Sequence, residues 1–308
     1  MQLFFISHPA CAQHRAPSAH PECPERLAAI DDQLMSSGIE PFLLHREAPP
    51  VTREQLLRVH SPDYLDTLMG LDVRDGQWTH LDGGDTYFGA GSLEAAYRAA
   101  GAGVLAVDLV LGAQSHKAFC SVRPPGHHAG RDYAMGFCVF NNVAIAAAHA
   151  LATSALERVA IVDFDVHHGN GTEDIFRGDP RVLFCSTFQH PFYPHSGADS
   201  ETANVVNVPL PRDTQGARFR TAVEEQVLPA LETFKPQLLL ISAGFDGHLE
   251  DEMANFRLVE ADYAWVTRAL VEVADRHADG RVVSMLEGGY ALSALARSVV
   301  AHLRALAE

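Results

Sequence analysis

The middle and C-terminal parts of the chain alternate between two hydrophobic rhythms. Short, nearly continuous apolar runs, KAFCSV (117–122), RVAIVDFDV (158–166), RVLFCSTF (181–188), QLLLISAGF (237–245) and RVVSMLEGG (281–289), have the length and β-rich composition of buried strands. Between them lie Ala-rich helical patterns: NNVAIAAAHALA (141–152), FRTAVEEQVLPALETF (219–234) and YAWVTRALVEVADR (263–276). Strands that are apolar on both faces and separated by helices predict an α/β fold. We expect a single domain over residues 1–308, a three-layer αβα arrangement with a central, mostly parallel sheet. In such sheets ligands bind beyond the carboxyl ends of the strands. The unusual polar residues fall there. RPPGHH follows KAFCSV, an Asp/His series closes RVAIVDFDV, a Phe–Asp pair follows QLLLISAG, and GGY follows RVVSMLE.

The series VDFDVHHGNG (162–171) is the most informative. Alternate side chains of a strand share a face, so Asp163, Asp165 and His167 point one way and Val162, Phe164 and Val166 the other. A lone aspartate at a strand end usually caps a loop. Two carboxylates and an imidazole on one side of an apolar strand would repel and desolvate one another without a cation. Asp246, at the end of another strand on the same sheet edge, is the leading candidate for a third ligand. Asp165, His167 and Asp246 would supply one nitrogen and two or more oxygens, leaving a position open for water as catalytic sites do. Such ligation suits Zn(II) without excluding Fe(II), Mn(II) or Co(II).

RPPGHHAG (123–130) places His127 and His128 in a Pro/Gly-rich turn, where two neighbouring histidines cannot both pack as core. Hydrolysis at neutral pH needs a base for the attacking water and an acid for the leaving amine, and imidazole suits both. Asp163, not needed for the metal, and Asn170 are available to set the tautomers. A carboxylate partner makes one imidazole more basic than an amide partner makes the other, so the pair is expected to be electrostatically unequal. Tyr290 follows Gly288 and Gly289, which let the chain turn sharply; its phenol would donate to a developing oxyanion.

Composition narrows the setting. A chain of 308 residues that is 47% hydrophobic can bury a sizeable core. The net charge of −16 argues against a nucleic-acid surface and mildly favours cationic substrates. The five cysteines, Cys11, Cys23, Cys120, Cys138 and Cys185, are scattered without a CxxC pair, so a reducing, cytoplasmic setting is expected. LFFI near the N-terminus is too short for a signal-peptide core, and no run reaches the ~18 apolar residues of a membrane span.

With these residues assembled, the sequence resembles the arginase–deacetylase superfamily and, more narrowly, its class II-like histone deacetylase family of bacterial amidohydrolases. The resemblance runs through HPECPERL (20–27), LDGGDTYFGAGSLEAA (81–96), RPPGHHA, GFCVFNN (136–142), DFDVHHGNGTEDIF (163–176), FYPHSG (192–197), AGFD (243–246) and LEGGY (286–290). It implies the arginase–deacetylase fold and one zinc per chain on Asp165, His167 and Asp246. His127 would be buttressed by Asp163, and His128, paired with Asn170, would be the principal base and acid. Tyr290 would polarise the amide carbonyl. Phe137 and Tyr193 would wall a narrow acyl-lysine channel, with Gly136 and Gly288 beside the substrate and Asp85 as the rim aspartate that binds a peptide backbone. A potassium ion would sit at Asp163, Asp165, His167, Ser186 and Thr187, partly through carbonyls. The sequence departs from the family around the rim, where it reads DTYFGAGS after the aspartate and GHLEDEMANF after the third ligand.

The leading expectation is a hydrolase of N-acyl-lysine in proteins or peptides, with acetylpolyamine amidohydrolase as the rival. No nucleic acid or membrane partner is expected, and a homo-oligomer is compatible with the sequence. A non-catalytic acyl-lysine-binding module would have lost His127, His128 or Tyr290. A binuclear manganese site of the arginase kind would need further bridging carboxylates.

Overall fold

The computed structural model describes residues 2–112, 116–200 and 202–308. The strands are β1 (Leu3–Ser7), β2 (Leu43–Glu47), β3 (Trp78–His80), β4 (Tyr87–Gly89), β5 (Lys117–Cys120), β6 (Val159–Asp163), β7 (Val182–Gln189), β8 (Val205–Leu210), β9 (Leu238–Ala243) and β10 (Val282–Leu286). β3 and β4 pair antiparallel as a separate ribbon. The other eight form one sheet in the order β2-β1-β5-β10-β9-β6-β7-β8, with every neighbouring pair parallel.

Burial explains the continuous apolar runs. Every residue of β6, β9 and β10 is buried, because helices cover both faces of the sheet. Leu239 and Ile241 pack into a core shared with the helices Glu25–Ser37, Glu260–His277 and Leu292–Ala307. Their neighbours Leu238 and Leu240 join the opposite core, with the helices Ser92–Leu111 and Asn142–Thr153. Among the described residues no helix is long and apolar enough to cross a membrane.

Two elements differ from the sequence pattern. The helical run over 219–234 divides into helix Gly216–Ala222, a π-helical turn Val223–Val227 and helix Leu228–Phe234. Pro229 has no N–H to donate to the preceding turn, and the wider turn just ahead accommodates it. The run over 158–166, expected as one strand, pairs regularly only to Asp163. Backbone bonds continue on both sides, from Phe164 N–H to Ser242 O (3.2 Å) and from Gln189 N–H to Val166 O (2.8 Å). Phe164 and Val166 therefore still enter the core, while Asp163 and Asp165 stay together away from it.

The four motif-bearing strands are the adjacent central ones, β5, β10, β9 and β6. Cys120, Met285, Ser242 and Asp163 stand in register across them. All four loops begin within a residue or two of this one row across the sheet.

Candidate active site

Beyond that row, Asp165, His167 and Asp246 meet with one potential ligand atom from each within 4.8 Å of the others. Their orientations are set by the backbone. Asp165 Oδ1 accepts the His167 N–H at 2.9 Å, Asp165 Oδ2 accepts the Gly288 N–H at 2.8 Å, and Asp246 Oδ1 accepts the Val166 N–H at 3.1 Å. His167 Nδ1 lies 3.1 Å from an oxygen of each carboxylate. All three residues are buried, so their negative charge needs a local positive one. Without a cation only a proton can supply it. Although burial acts against the charge, Asp246 and Asp165 drive His167 up to about 10. A divalent ion replaces that proton with a charge the site can hold through oxygen and nitrogen lone pairs. The donor set therefore fits a divalent cation, and one mixed in nitrogen and oxygen suits Zn(II).

The histidine pair comes from the loop after β5. His127 Nδ1–H donates to Asp163 Oδ2 at 2.8 Å, and His128 Nδ1–H donates to Asn170 Oδ1 at 2.7 Å. An amide oxygen only accepts, so His128 carries its proton on Nδ1 and keeps a lone pair on Nε2. The assignment of the Asn170 amide agrees with its nitrogen facing the Tyr133 hydroxyl and Met135 sulfur. The two imidazoles are electrically opposite. Burial disfavours charge on His127, but Asp163 and Asp165 outweigh it and raise the group to about 10. His128 is held well below its ordinary value by burial, then by the neighbouring charges of His127 and His167.

Tyr290 follows β10 on the turn that opens the helix Leu292–Ala307. It lines a cavity of about 240 Å³ with Asp85, His128, Gly136, Phe137, His167, Phe192, Tyr193 and Met253. Phe137 crosses the Tyr290 ring edge-on at 5.8 Å, and Tyr193 crosses His128 at 5.3 Å. Asp85 is exposed at the mouth, and its carbonyl lies 3.1 Å from His20 Nε2. Burial keeps the Tyr290 phenol well above its ordinary pKa, with Arg26 acting the other way.

The sequence profile of the Histone deacetylase domain matches residues 20–306. The chain belongs to the histone deacetylase family. It is 39% identical to the histone deacetylase-like amidohydrolase of Pseudomonas aeruginosa, over 90% of this chain and 74% of that protein. It is 38% identical to the polyamine deacetylase HDAC10 of Mus musculus, over 94% of this chain and 45% of that protein. The crystal structure of the HDA15 HD domain superposes with a TM-score of 0.92 at 33% identity, covering 99% of this chain and 89% of that one. The parallel sheet between helical layers is thus the histone deacetylase fold, and the protein is a hydrolase of the deacetylase and amidohydrolase kind.

Within this deacetylase domain the residues singled out from sequence occupy three places. Asp165, His167 and Asp246 form the cluster that could hold a metal; His127 and His128 stand on Asp163 and Asn170; Gly136, Phe137, Tyr193, Tyr290 and Asp85 line the cavity. Ser186 and Thr187 lie on β7 beside Asp163, and the Thr187 hydroxyl faces the Asp163 carbonyl at 3.5 Å. Gly288, expected beside the substrate, packs against the ligand cluster. Its N–H is bound to Asp165 and its carbonyl accepts the Phe245 N–H at 3.0 Å. A Cβ there would collide with the carboxylates of Asp246 and Asp165.

The deacetylase site also depends on residues that the sequence reading passed over. Phe192 stacks on His167 at 5.6 Å and lines the cavity with Met253. Glu287 accepts the N–H groups of Gly126 and His127 at 2.7 and 3.2 Å and the Ser242 hydroxyl at 3.0 Å, fixing the histidine loop to the sheet. Its burial raises it to about 7, against the pull of His127. Glu22 takes both arms of Arg123 and one of Arg26, which hold it down to about 2 despite complete burial. Arg26 in turn donates to the carbonyls of Glu287 and Gly289 and lies 5.0 Å over the Tyr290 ring. HPECPERL and LEGGY contain these groups, but nothing local shows that charges so far apart in sequence will meet.

Proposed function

We propose that this protein is a zinc-dependent deacylase that hydrolyses the amide of N-acetyl- or other N-acyl-lysine in proteins or peptides, with residues 1–308 acting as one catalytic domain. The observation that carries the reading is the unequal histidine pair, one imidazole on Asp163 and the other on Asn170, beside a buried Asp–His–Asp cluster at the foot of an aromatic channel.

Zinc held by Asp165, His167 and Asp246 supplies Lewis acidity toward water and the amide carbonyl. The remaining chemistry belongs to the side chains. His128, neutral with Nε2 free, takes the proton of the attacking water and returns it to the leaving amine. Burial and the positive charge on His127 make the protonated His128 a stronger acid than a free imidazolium, which favours that return. Tyr290, kept protonated by its surroundings, donates to the oxyanion as it develops. A potassium ion at Asp163, Asp165, His167, Ser186 and Thr187 would stiffen the same segment.

The lining of the channel supports our choice of acyl-lysine over acetylpolyamine. Phe137, Phe192, Tyr193 and Met253 suit an aliphatic side chain, and among the described residues Asp85 is the one carboxylate in the lining, placed at the mouth where a peptide backbone would run. A polyamine brings a second ammonium that needs its own partner inside. An acetyl-lysine peptide should therefore be turned over with a higher kcat/KM than acetylspermidine or acetylputrescine. An enzyme that ignores every acyl-lysine peptide and cleaves acetylpolyamines would overturn this reading.

The assignment of His128 has its own test. Exchanging Asn170 for aspartate gives His128 a carboxylate partner in addition to Asp165, against the charges of His127 and His167. An opposite charge raises the pKa of an imidazole, so the base form is reached only at higher pH. The acid limb of the kcat/KM profile should move upward by ~1 unit or more. An unmoved limb would show that some other group limits the rate there.

A further inference from the structure

Tyr290 stands on a turn with little rigidity of its own. Gly289 before it has φ +124°, and Ala291 after it has no side chain able to cap the helix Leu292–Ala307. The first amide groups of a helix find no partner within it. Here a carboxylate from another loop takes them. Asp251 Oδ2 accepts the N–H of Tyr290 at 2.6 Å and that of Ala291 at 3.0 Å. The other oxygen, Oδ1, accepts the N–H of Met253 at 3.0 Å.

Asp251 lies on the loop that leaves the metal-ligand residue Asp246, is only 6% exposed, and lines no part of the cavity. Its three bonds join separate parts of the site: the turn bearing the phenol, the start of the last helix, and the channel wall at Met253. From the opposite side Arg26 holds the carbonyls of Glu287 and Gly289. The turn is thus gripped by its N–H groups on one side and its carbonyls on the other.

We propose that Asp251 is a positioning residue for catalysis, setting the Tyr290 hydroxyl relative to the metal-ligand loop and to the acyl chain lying along Met253. The assignment rests on Tyr290 being the oxyanion donor. Asp251 touches neither substrate nor metal ligand in this role; it acts through the backbone of Tyr290. A misplacement of the order of 1 Å in a catalytic group suffices to lower turnover greatly.

The test is a double-mutant cycle of Asp251→Asn with Tyr290→Phe on the zinc-loaded protein, using an acetyl-lysine peptide. Asparagine turns one of the two acceptor oxygens into a donor facing backbone N–H groups. In the wild-type background kcat should fall ~10–100-fold with KM and zinc content little changed. In the Tyr290→Phe background the same change should cost less than ~2-fold, because the group it positions is already gone. Hydrogen exchange at the Tyr290 and Ala291 amides should quicken while β9 and β10 stay protected.

Equal losses in both backgrounds would overturn the proposal for Asp251 alone, and so would loss of zinc. A Tyr290→Phe variant with wild-type activity would instead remove the oxyanion role itself, and this assignment with it. Should Asp251→Asn fail to fold, Asp251→Glu, which keeps the charge and displaces it by one methylene, goes through the same cycle. If neither folds, the carboxylate is an element of stability and the positioning role is refuted.

Discussion

Asp246→Ala should leave the protein without bound metal after dialysis and without measurable deacylase activity. Asp246 contributes a carboxylate to a cluster whose other members are Asp165 and His167, and its orientation is fixed by the Val166 N–H at 3.1 Å. Losing an outer partner of a metal ligand typically costs ~10–100-fold in affinity, and removing a ligand costs more. The alanine also takes away one of the two negative charges that balance the ion. Metal analysis on the purified variant, against the wild type at about one ion per chain, is the measurement. Full retention of metal would mean that the third ligand lies elsewhere.

Tyr290→Phe should lower kcat/KM by ~10²–10³-fold, the usual cost of one oxyanion donor, with metal content unchanged. The substitution deletes only the hydroxyl. The ring keeps its edge-on contact with Phe137 and its place beneath Arg26, so the channel should hold its shape. The loss should fall mainly on kcat, because the hydrogen bond strengthens as charge develops on the carbonyl oxygen. Rates like those of the wild type would assign the oxyanion to another donor.

The sheet and the chemistry-bearing loops were legible in the sequence because they follow from local rules. Apolar runs of strand length marked β5, β6, β7, β9 and β10, and the carboxyl-end rule placed the unusual residues just beyond them. The alternation of Asp163, Asp165 and His167 survived even where the regular ladder stops, because Phe164 and Val166 are drawn into the core. What the sequence concealed was the burial of charge. Glu22 meets an arginine 101 residues away, and Arg26 reaches a carbonyl 263 residues away, contacts that exist only after the sheet has formed. Glu287 and Asp251 were hidden for a related reason. Each serves backbone N–H groups of another loop, and backbone groups leave no mark in a residue pattern. The close packing of Gly288 on the Asp165 and Asp246 carboxylates was hidden too, since a glycine that admits a substrate and one that admits a carboxylate look alike in sequence.

The place of β10 in the sheet ties the completion of the fold to the completion of the site. β10, the last of the described strands, is wedged between β5 and β9. A nascent chain that has not yet emitted residues 282–290 holds two unsealed strand edges at its centre, the segments most prone to wrong pairing. It also lacks Glu287 beneath the histidine loop, the Gly288 N–H on Asp165, and Tyr290 itself. A chain stopped before residue 282 is therefore expected to be catalytically silent, because the segment that closes the sheet is also the one that completes the site.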